Sequence, residues 1–375
     1  MAQFYANGTG KSDKRQAVHK GYIEKDVASK SGLPDYLDLF DLNWDKKKIA
    51  DNDDLIKYLI KYKPERLFAP NERVEYSNTG YILLALIVER VTDMDFADFL
   101  QENIFKPLKM TRTQAIGIRK ENIEIADYAY GYVYDVYAGE YVLADDFEET
   151  KMVTYLDGML GDGGIQSTVR DLYLYDRALS TGNLINDELQ KEAYKPAVTE
   201  TETPFKYGFG WILEDDEQKG QIIWHSGGWP GYRTSLRRFI DHDIVVIELK
   251  NKEQDVDFEQ HVLHAIWQAA FDEPYELAEE KPPLERARVI PVDVLKRVVG
   301  DYALTEHPDL IIHVSLVNNR LFIEMPGSMK LELHAKTEKK FFLRGLSIDV
   351  DFTTEDGKEL VKIIDGTDVQ TAERQ

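Results

Sequence analysis

A tyrosine and an asparagine two residues apart form the first candidate for chemistry in this sequence. They are Tyr76 and Asn78, and a long apolar run follows them in VEYSNTGYILLALIVERVT. A phenol can transfer a proton, and a carboxamide can hydrogen-bond a ligand. Asparagine is also a favoured N-cap, so Asn78 is expected to cap a helix that begins near Thr79. The pair is a turn with a cap or half of a catalytic site, and the two interpretations are compatible.

A second candidate group lies in the stretch WHSGGWPGYRTS. There His225 and Ser226 directly precede Gly227 and Gly228, beside a predicted strand. Glycines at a strand let another backbone or a ligand approach its edge closely. His225 adds a polar side chain at the same edge, so we consider this edge together with Tyr76 as one candidate site.

The elements that must position these groups predict an α+β fold. Helical periodicity predicts one helix from Asp51 to before Pro64, an apolar helix over Thr79 to Thr92, and a helix that Ser167 or Thr168 caps and that runs to Leu179. Four short β-type runs then follow up to Asn251, which indicates an antiparallel sheet. From Val292 onward, short alternating strands separated by turn residues predict a small β-barrel or sandwich.

Composition limits the kinds of partner that this chain can bind. The 375 residues carry a formal net charge of -22 and contain no cysteine. A strongly acidic surface repels phosphate backbones, so we expect no nucleic acid as a partner. The longest apolar run, Tyr81 to Val88, is too short to span a bilayer, which predicts no membrane insertion. The sequence begins without the apolar core of a signal peptide, which predicts a cytoplasmic chain as written.

Four motifs in a fixed order carry a family resemblance. They are SGLPDY from Ser31, YSNTGY from Tyr76, GDGGIQSTVRDL from Gly161 and HSGG from His225. On these motifs the chain resembles the serine β-lactamase and penicillin-binding-protein superfamily, in its class C-like branch of carboxypeptidases and esterases. The resemblance extends from Ser31 to Phe271. The C-terminal part resembles the lipocalin-like β-domain that is often appended to such hydrolases.

The resemblance implies an acyl-serine mechanism without metal or cofactor, on a small-molecule or peptide substrate such as a D-amino-acid peptide, a β-lactam or an ester. It implies that Tyr76 is the general base and that Asn78 contacts the substrate amide. His225 would contact a carboxylate or the leaving group. Ser226, Gly227 and Gly228 would form the substrate-binding strand edge. Complete members of this superfamily are often exported.

One part of the family pattern is missing from these residues. The nucleophile and its lysine normally lie in a Ser-x-x-Lys motif upstream of the SGLPDY loop, and no Ser-x-x-Lys occurs anywhere in the sequence. We therefore expect an N-terminally incomplete hydrolase that is inactive as this chain. The alternative is a non-catalytic protein that keeps the groove for binding. A phenol with an ordinary pKa near ~10 is also a poor base without a cationic neighbour.

The missing segment also predicts a structural defect. In the family, N-terminal strands lie beside the late strand of the sheet, which here is Asp243 to Asn251. Without them this edge is unpaired, and unpaired edges are templates for association. We expect self-association through that edge. The predicted division is an atypical arm at 1–30, the incomplete hydrolase domain at 31–275, a linker at 276–291 and the β-barrel domain at 292–375.

Two weaker motifs have simpler explanations. His261 and His264 lie three residues apart on a predicted helix face, a spacing that could ligate a metal. The sequence has no HExxH pattern beside them, so an ordinary helix role is favoured and no metal is predicted. The stretch GTGKS from Gly8 to Ser12 resembles a phosphate loop but lacks the preceding glycine and strand, so nucleotide binding is disfavoured.

Overall fold

A computed structural model describes residues 29–119, 127–201, 206–253, 256–277, 285–325 and 330–375. The GTGKS stretch and nearly all of the predicted N-terminal arm lie outside the described residues. The chain divides into two compact units, one of residues 1–131 and 144–251 and the other of residues 132–143 and 252–375. The domain boundaries predicted at 275 and 291 stay predictions, and the predicted linker lies partly outside the described residues.

The structure contains the three helices predicted above, together with further ones. They are α1 (Tyr36–Asn43), α2 (Asn52–Tyr62), α3 (Asn78–Thr92), α4 (Phe96–Leu100, continued by a π-helical turn at Gln101–Phe105), α5 (Met152–Tyr155), α6 (Val169–Ser180), α7 (Asp187–Ala193), α8 (Val256–Ala270) and α9 (Val292–Leu295). Asp51 and Asp54 form a reciprocal capping box at the start of α2. Thr168, rather than Ser167, caps α6 by accepting a hydrogen bond from the Asp171 backbone N–H.

The first unit contains an antiparallel sheet, as predicted. The strands that precede the barrel are β1 (Gln114–Ala115), β2 (Tyr132–Asp135), β3 (Glu140–Leu143), β4 (Ile165–Gln166), β5 (Lys206–Tyr207), β6 (Ile212–Asp216), β7 (Gly220–Trp229), β8 (Tyr232–Phe239) and β9 (Ile244–Lys250). Of these, β2 and β3 belong to the second unit. Strands β5 to β9 form one sheet in sequence order, while β1 pairs with β4 and β2 with β3. A buried cluster around α3, α4 and α6, with Leu100 and Phe99 at its centre, forms one of the hydrophobic cores of this unit.

Strand β7 is paired unequally along its two sides. Its pairing with β6 runs from Gly220 only to Trp224, opposite Ile212. Its pairing with β8 continues to Trp229, opposite Tyr232. Within the part of the chain that the structure describes, the other side of β7 from His225 to Trp229 therefore has no strand partner. This open edge contains the predicted HSGG motif.

Strand β9 pairs only with β8 among the residues that are described. It corresponds to the edge that the sequence predicts to be unpaired. Self-association through β9 stays a prediction. It would be measured as a concentration-dependent molar mass in light scattering, and substitution of the edge residue Leu249 by lysine would reduce that mass because inward or edge charges oppose strand pairing.

The second unit contains a closed antiparallel β-barrel, which selects the barrel over the sandwich. Its strands are β10 (Gly300–Leu304), β11 (Ile311–Val317), β12 (Arg320–Glu324), β13 (Leu331–Ala335), β14 (Lys340–Leu343), β15 (Ile348–Glu355), β16 (Lys358–Asp365) and β17 (Asp368–Arg374). The strands follow sequence order, and β17 closes the barrel on β10 with Tyr302 opposite Arg374. Asn318 and Asn319 both have positive φ, as a tight hairpin between β11 and β12 requires. Among the described helices none is long and apolar enough to cross a membrane.

Candidate functional site

Tyr76 and His225 come together although 148 residues separate them in the sequence. Their ring centroids are 5.7 Å apart. The Tyr76 ring also stacks near Tyr81 at 6.1 Å and meets Tyr207 edge-on at 6.2 Å. The Tyr76 side chain remains partly exposed, beside the open edge of β7. The fold thus brings both predicted catalytic residues to one aromatic cluster.

Asn78 is not the N-cap of α3, so that prediction is wrong. Ser77 occupies the cap position and makes no side-chain cap hydrogen bond. Instead the backbone N–H and the side-chain Nδ2 of Asn78 both donate to Asp35 Oδ2, at 3.0 and 2.8 Å. A carboxylate is a stronger acceptor for these groups than a neutral cap and is favoured at a helix N-terminus. Asp35 therefore fixes the Asn78 amide, and no described residue donates to its Oδ1.

Both nitrogens of the His225 ring are engaged within the chain. Nδ1 lies 2.6 Å from the carbonyl oxygen of Ser226, and Nε2 lies 3.0 Å from the hydroxyl of Tyr207. A carbonyl only accepts, so Nδ1 carries the proton and Nε2 accepts from Tyr207 in the neutral ring. The Tyr207 hydroxyl in turn lies 3.0 Å from that of Tyr81. Burial lowers the pKa of His225, although the Ser226 carbonyl opposes this shift.

Two carboxylates supply the charge near Tyr76. Asp162 accepts a hydrogen bond from the buried Tyr36 hydroxyl at 2.9 Å. Burial, more than the neighbouring charge of Asp35, raises the pKa of Asp162 to about 6. Burial together with the charges of Asp162 and Asp35 raises the pKa of Tyr76 to about 12. The surroundings therefore keep this phenol protonated at neutral pH, which is the opposite of what a general base needs.

Two of the five residues on the open edge of β7, Gly227 and Gly228, carry no side chain. Ser226, Gly227 and Gly228 are all exposed. A Cβ at Gly227 would lie only 2.4 Å from Thr234 Oγ1 on β8. At the end of this hairpin the Tyr232 hydroxyl donates to the Ala129 carbonyl at 2.8 Å, which fixes the tip of the hairpin. The edge is thus accessible from Ser226 to Gly228.

Sequence reasoning missed Asp35, Tyr81, Asp162 and Tyr207 as parts of this site. The first three lie inside the quoted motifs SGLPDY, YSNTGY and GDGG, so the motifs themselves were the available signal. Tyr207 could be found only from the three-dimensional contact with His225. The side chains of His261 and His264 are exposed on α8, and the described residues contain no cluster of three or more potential metal ligands.

Two cavities lie away from these residues. One of about 310 Å³ opens at the barrel, lined by residues that include Arg288, Leu321 and Phe341. Another of about 290 Å³ lies beside α1 and α5, lined by residues that include Asp41 and Tyr155. Neither contains Tyr76, Asn78 or His225.

Replacing Asp162 with asparagine is expected to raise the melting temperature of the first unit at neutral pH. The ionised carboxylate is disfavoured in the folded state because its pKa is raised from the ordinary 3.8 to about 6. The stability of the wild-type protein therefore increases as pH falls through 6 toward 3.8. The difference in melting temperature between the variant and the wild type should disappear near the lower pH. The pKa of Tyr76 should also fall, which ¹³C-tyrosine NMR would measure. Asp98→Asn, an exposed substitution on α4, is the control.

Two features define a β-lactamase and penicillin-binding-protein type of fold. One is the five-stranded sheet with helices such as α3 and α6. The other is a tyrosine, an asparagine and a glycine-edged strand that lie at one place. The chain belongs to the beta-lactamase family, whose sequence model matches residues 28–271. The recognised superfamily and the predicted fold class are both confirmed.

Known relatives agree with this assignment. Penicillin-binding protein 4* of Bacillus subtilis (strain 168) is 42% identical over 323 residues, which cover 86% of this chain and 71% of that protein. A D-aminopeptidase of Brucella canis is 24% identical over 225 residues, or 60% of this chain and 40% of that protein. The octameric penicillin-binding protein homologue from Pyrococcus abyssi superposes with a TM-score of 0.54 at 20% identity, over 92% of this chain and 77% of that one. The last likeness concerns the fold alone.

Proposed function

We propose that the open edge of β7, Tyr76 and Asn78 form the substrate groove of a β-lactamase-type serine hydrolase. Its substrates would be D-amino-acid peptides, β-lactams or small esters. We also propose that this chain binds such molecules without forming an acyl-enzyme. The absence of Ser-x-x-Lys from the 375 residues is the observation that carries this second part.

The geometry supports binding in the groove. An extended peptide can add to an unpaired strand edge through backbone hydrogen bonds. The edge from His225 to Trp229 offers such backbone groups without side-chain obstruction at Gly227 and Gly228. The Asn78 carboxamide is held in one orientation by Asp35 and keeps its oxygen for a ligand N–H. The names of the D-aminopeptidase and penicillin-binding relatives suggest the same substrate classes.

The electrostatics of the groove support the absence of acyl transfer. A serine hydrolase of this type needs a serine whose proton is removed by a base close to a cation. Tyr76, the predicted base, has a pKa raised to about 12 by burial and by Asp162 and Asp35. No lysine or arginine of the described residues contributes to that pKa. A pKa raised in this way keeps the phenol protonated at neutral pH.

A labelling and binding experiment tests both parts. The protein would be incubated with a fluorophosphonate probe and with a penicillin, then measured by intact-protein mass spectrometry, next to a β-lactamase that contains Ser-x-x-Lys. We expect no adduct on this chain and full labelling of the control. A stoichiometric adduct would contradict the proposal that acylation is absent. Peptide-induced shifts at Gly227 and Gly228 in NMR spectra are expected for the groove, and their absence would overturn it.

A further inference from the structure

The cavity of about 310 Å³ in the second unit lies at one end of the β-barrel, where β11 turns into β12 and β13 turns into β14. Leu321, Leu333 and Phe341 line it with apolar surface, and all three are almost fully buried. Its volume is at the lower end of the range for small-molecule sites, which is about 300–1,000 Å³. The cavity is therefore large enough for a small ligand with an apolar body.

The barrel interior beside this cavity is filled with side chains. Ile323, Val350 and Val361 belong to the same buried hydrophobic cluster as Leu321 and Phe341. An eight-stranded barrel has an interior just wide enough for side chains to fill. A ligand of this barrel would therefore bind at its end, against the outermost layer of the core, rather than at its centre.

The charge at this cavity is positive in an acidic chain. Two of the twelve residues that line it, Arg288 and Arg320, are arginines and none is acidic, although the chain carries a net charge of -22. Arg320 is already paired, because its Nη1 donates to Glu332 Oε2 at 3.1 Å. Arg288 is exposed, and its guanidinium has no hydrogen-bond or ion-pair partner among the described residues. Arg288 therefore supplies an uncompensated positive charge at the cavity.

The backbone around Arg288 is held in place. The Arg288 N–H donates to the carbonyl of Ala335, the last residue of β13, at 2.7 Å. The preceding residue, Ala287, is buried, and its N–H donates to the Val136 carbonyl at 2.6 Å. A guanidinium presents a planar fork of N–H donors that matches the two oxygens of a carboxylate. A fixed backbone with an uncommitted guanidinium beside an apolar cavity suits a ligand with one carboxylate.

We propose that this end of the barrel binds small monocarboxylates that have an apolar body. The carboxylate would pair with Arg288, and the apolar body would pack against Leu321, Leu333 and Phe341. The site is separate from the groove at β7, and the inference does not depend on the function proposed for that groove. Inorganic phosphate has charge but no apolar surface to bury, so it should bind this site more weakly than such a carboxylate.

Three probes with the same body and different charges test the proposal. They are 4-phenylbutyrate, an anion, 4-phenylbutanamide, which is neutral, and 4-phenylbutylamine, a cation at about pH 7.5. The full chain would be labelled with ¹³C in its leucine methyl groups and titrated in NMR experiments. We expect shifts at Leu321 and Leu333 but not at Leu100, in the core of the first unit. The anion should bind about threefold or more tightly than the amide, the cation most weakly, and added salt should reduce the differences.

Two variants assign the preference to its residue. Arg288→Gln should bring the affinity for 4-phenylbutyrate down to that for the amide and leave the affinity for the amide unchanged. The matched control is Arg170→Gln on α6, because Arg170 is also exposed and has no side-chain partner among the described residues. It changes the net charge equally and should leave the ratio of anion to amide affinity as it is in the wild type.

Each outcome decides one part of the proposal. No shift at Leu321 or Leu333 with any of the three probes would overturn the site. Equal binding of the anion and the amide, or tightest binding of the cation, would overturn the selection for a carboxylate. An equal loss in both arginine variants would overturn the role of Arg288. A preference for the anion that disappears in Arg288→Gln and persists in Arg170→Gln would support the proposal.

Discussion

Replacing Asp176 with asparagine is expected to lower the free energy of unfolding of the first unit by about 3–5 kcal/mol. Asp176 on α6 is almost fully buried and lies 2.6 Å from the guanidinium of Arg238 on β8, which is also buried. A second arginine, Arg177, binds the same carboxylate. Removing the charge leaves a buried guanidinium without its counterion. Urea denaturation followed by tryptophan fluorescence would measure the loss.

A second ion pair of the same helix provides the matched control. Arg177 also binds Asp243 at 2.8 Å, but the Asp243 side chain is 70% exposed. Exposed pairs contribute only about 0–1 kcal/mol. Asp243→Asn should therefore change stability little. Asparagine, like aspartate, tolerates the left-handed backbone conformation at this position. Equal effects of the two substitutions would contradict the assignment of the loss to burial of the Asp176–Arg238 pair.

A single buried histidine is expected to lower the free energy of unfolding of the barrel by up to about 3 kcal/mol as the pH falls from 6.5 to 4. His334 on β13 is buried, and no described residue hydrogen-bonds its Nδ1. Burial, with further effects of Arg344 and Arg320, lowers its pKa from 6.5 to about 4. The unfolded state binds the proton first, so the stability is fully present above pH 6.5 and is lost as pH falls through this range.

Thermal melting between pH 7.5 and 4 would measure the effect, compared with a variant that does not titrate. His334→Gln is expected to flatten the acid limb of the stability curve, whatever its stability at neutral pH. His307→Gln is the control because His307 is exposed and its side chain makes no hydrogen bond among the described residues. An NMR titration of His334 with a midpoint near 6.5 would contradict the prediction. Glu332 Oε1 lies 3.9 Å from the Nδ1 of His334.

Most of the architecture was predictable because its signals are local. Apolar periodicity defined α3, and paired turn residues such as Asn318 and Asn319 defined the hairpins of the barrel. The cap of α3 was predicted wrongly for a non-local reason. Asn78 has the right residue type for a cap, but Asp35, 43 residues earlier, competes for its hydrogen bonds. Sequence patterns describe a residue and its neighbours and carry no information on such a competitor.

The candidate site was predictable in position but only partly in chemistry. The motif order placed Tyr76 and His225 together, and the structure brings their rings to 5.7 Å. The protonation of each depends on burial and on residues from other segments, namely Tyr207 for His225 and Asp162 for Tyr76. These contacts arise only when α1, α3 and β7 pack. A hydrolytic role read from residue types alone therefore omits the charges around these two side chains.

The second unit is discontinuous in the sequence, and this constrains how the chain folds during synthesis. Its hairpin, residues 132–143, leaves the ribosome more than a hundred residues before the barrel to which it belongs. Val136 and Tyr134 of this hairpin share a hydrophobic cluster with Phe342. While the intervening residues 144–251 are synthesised, the hairpin has no other part of its own unit to pack against. Cutting the gene at any single position therefore damages one unit or the other, and a fragment starting at residue 252 would expose Phe342 to water.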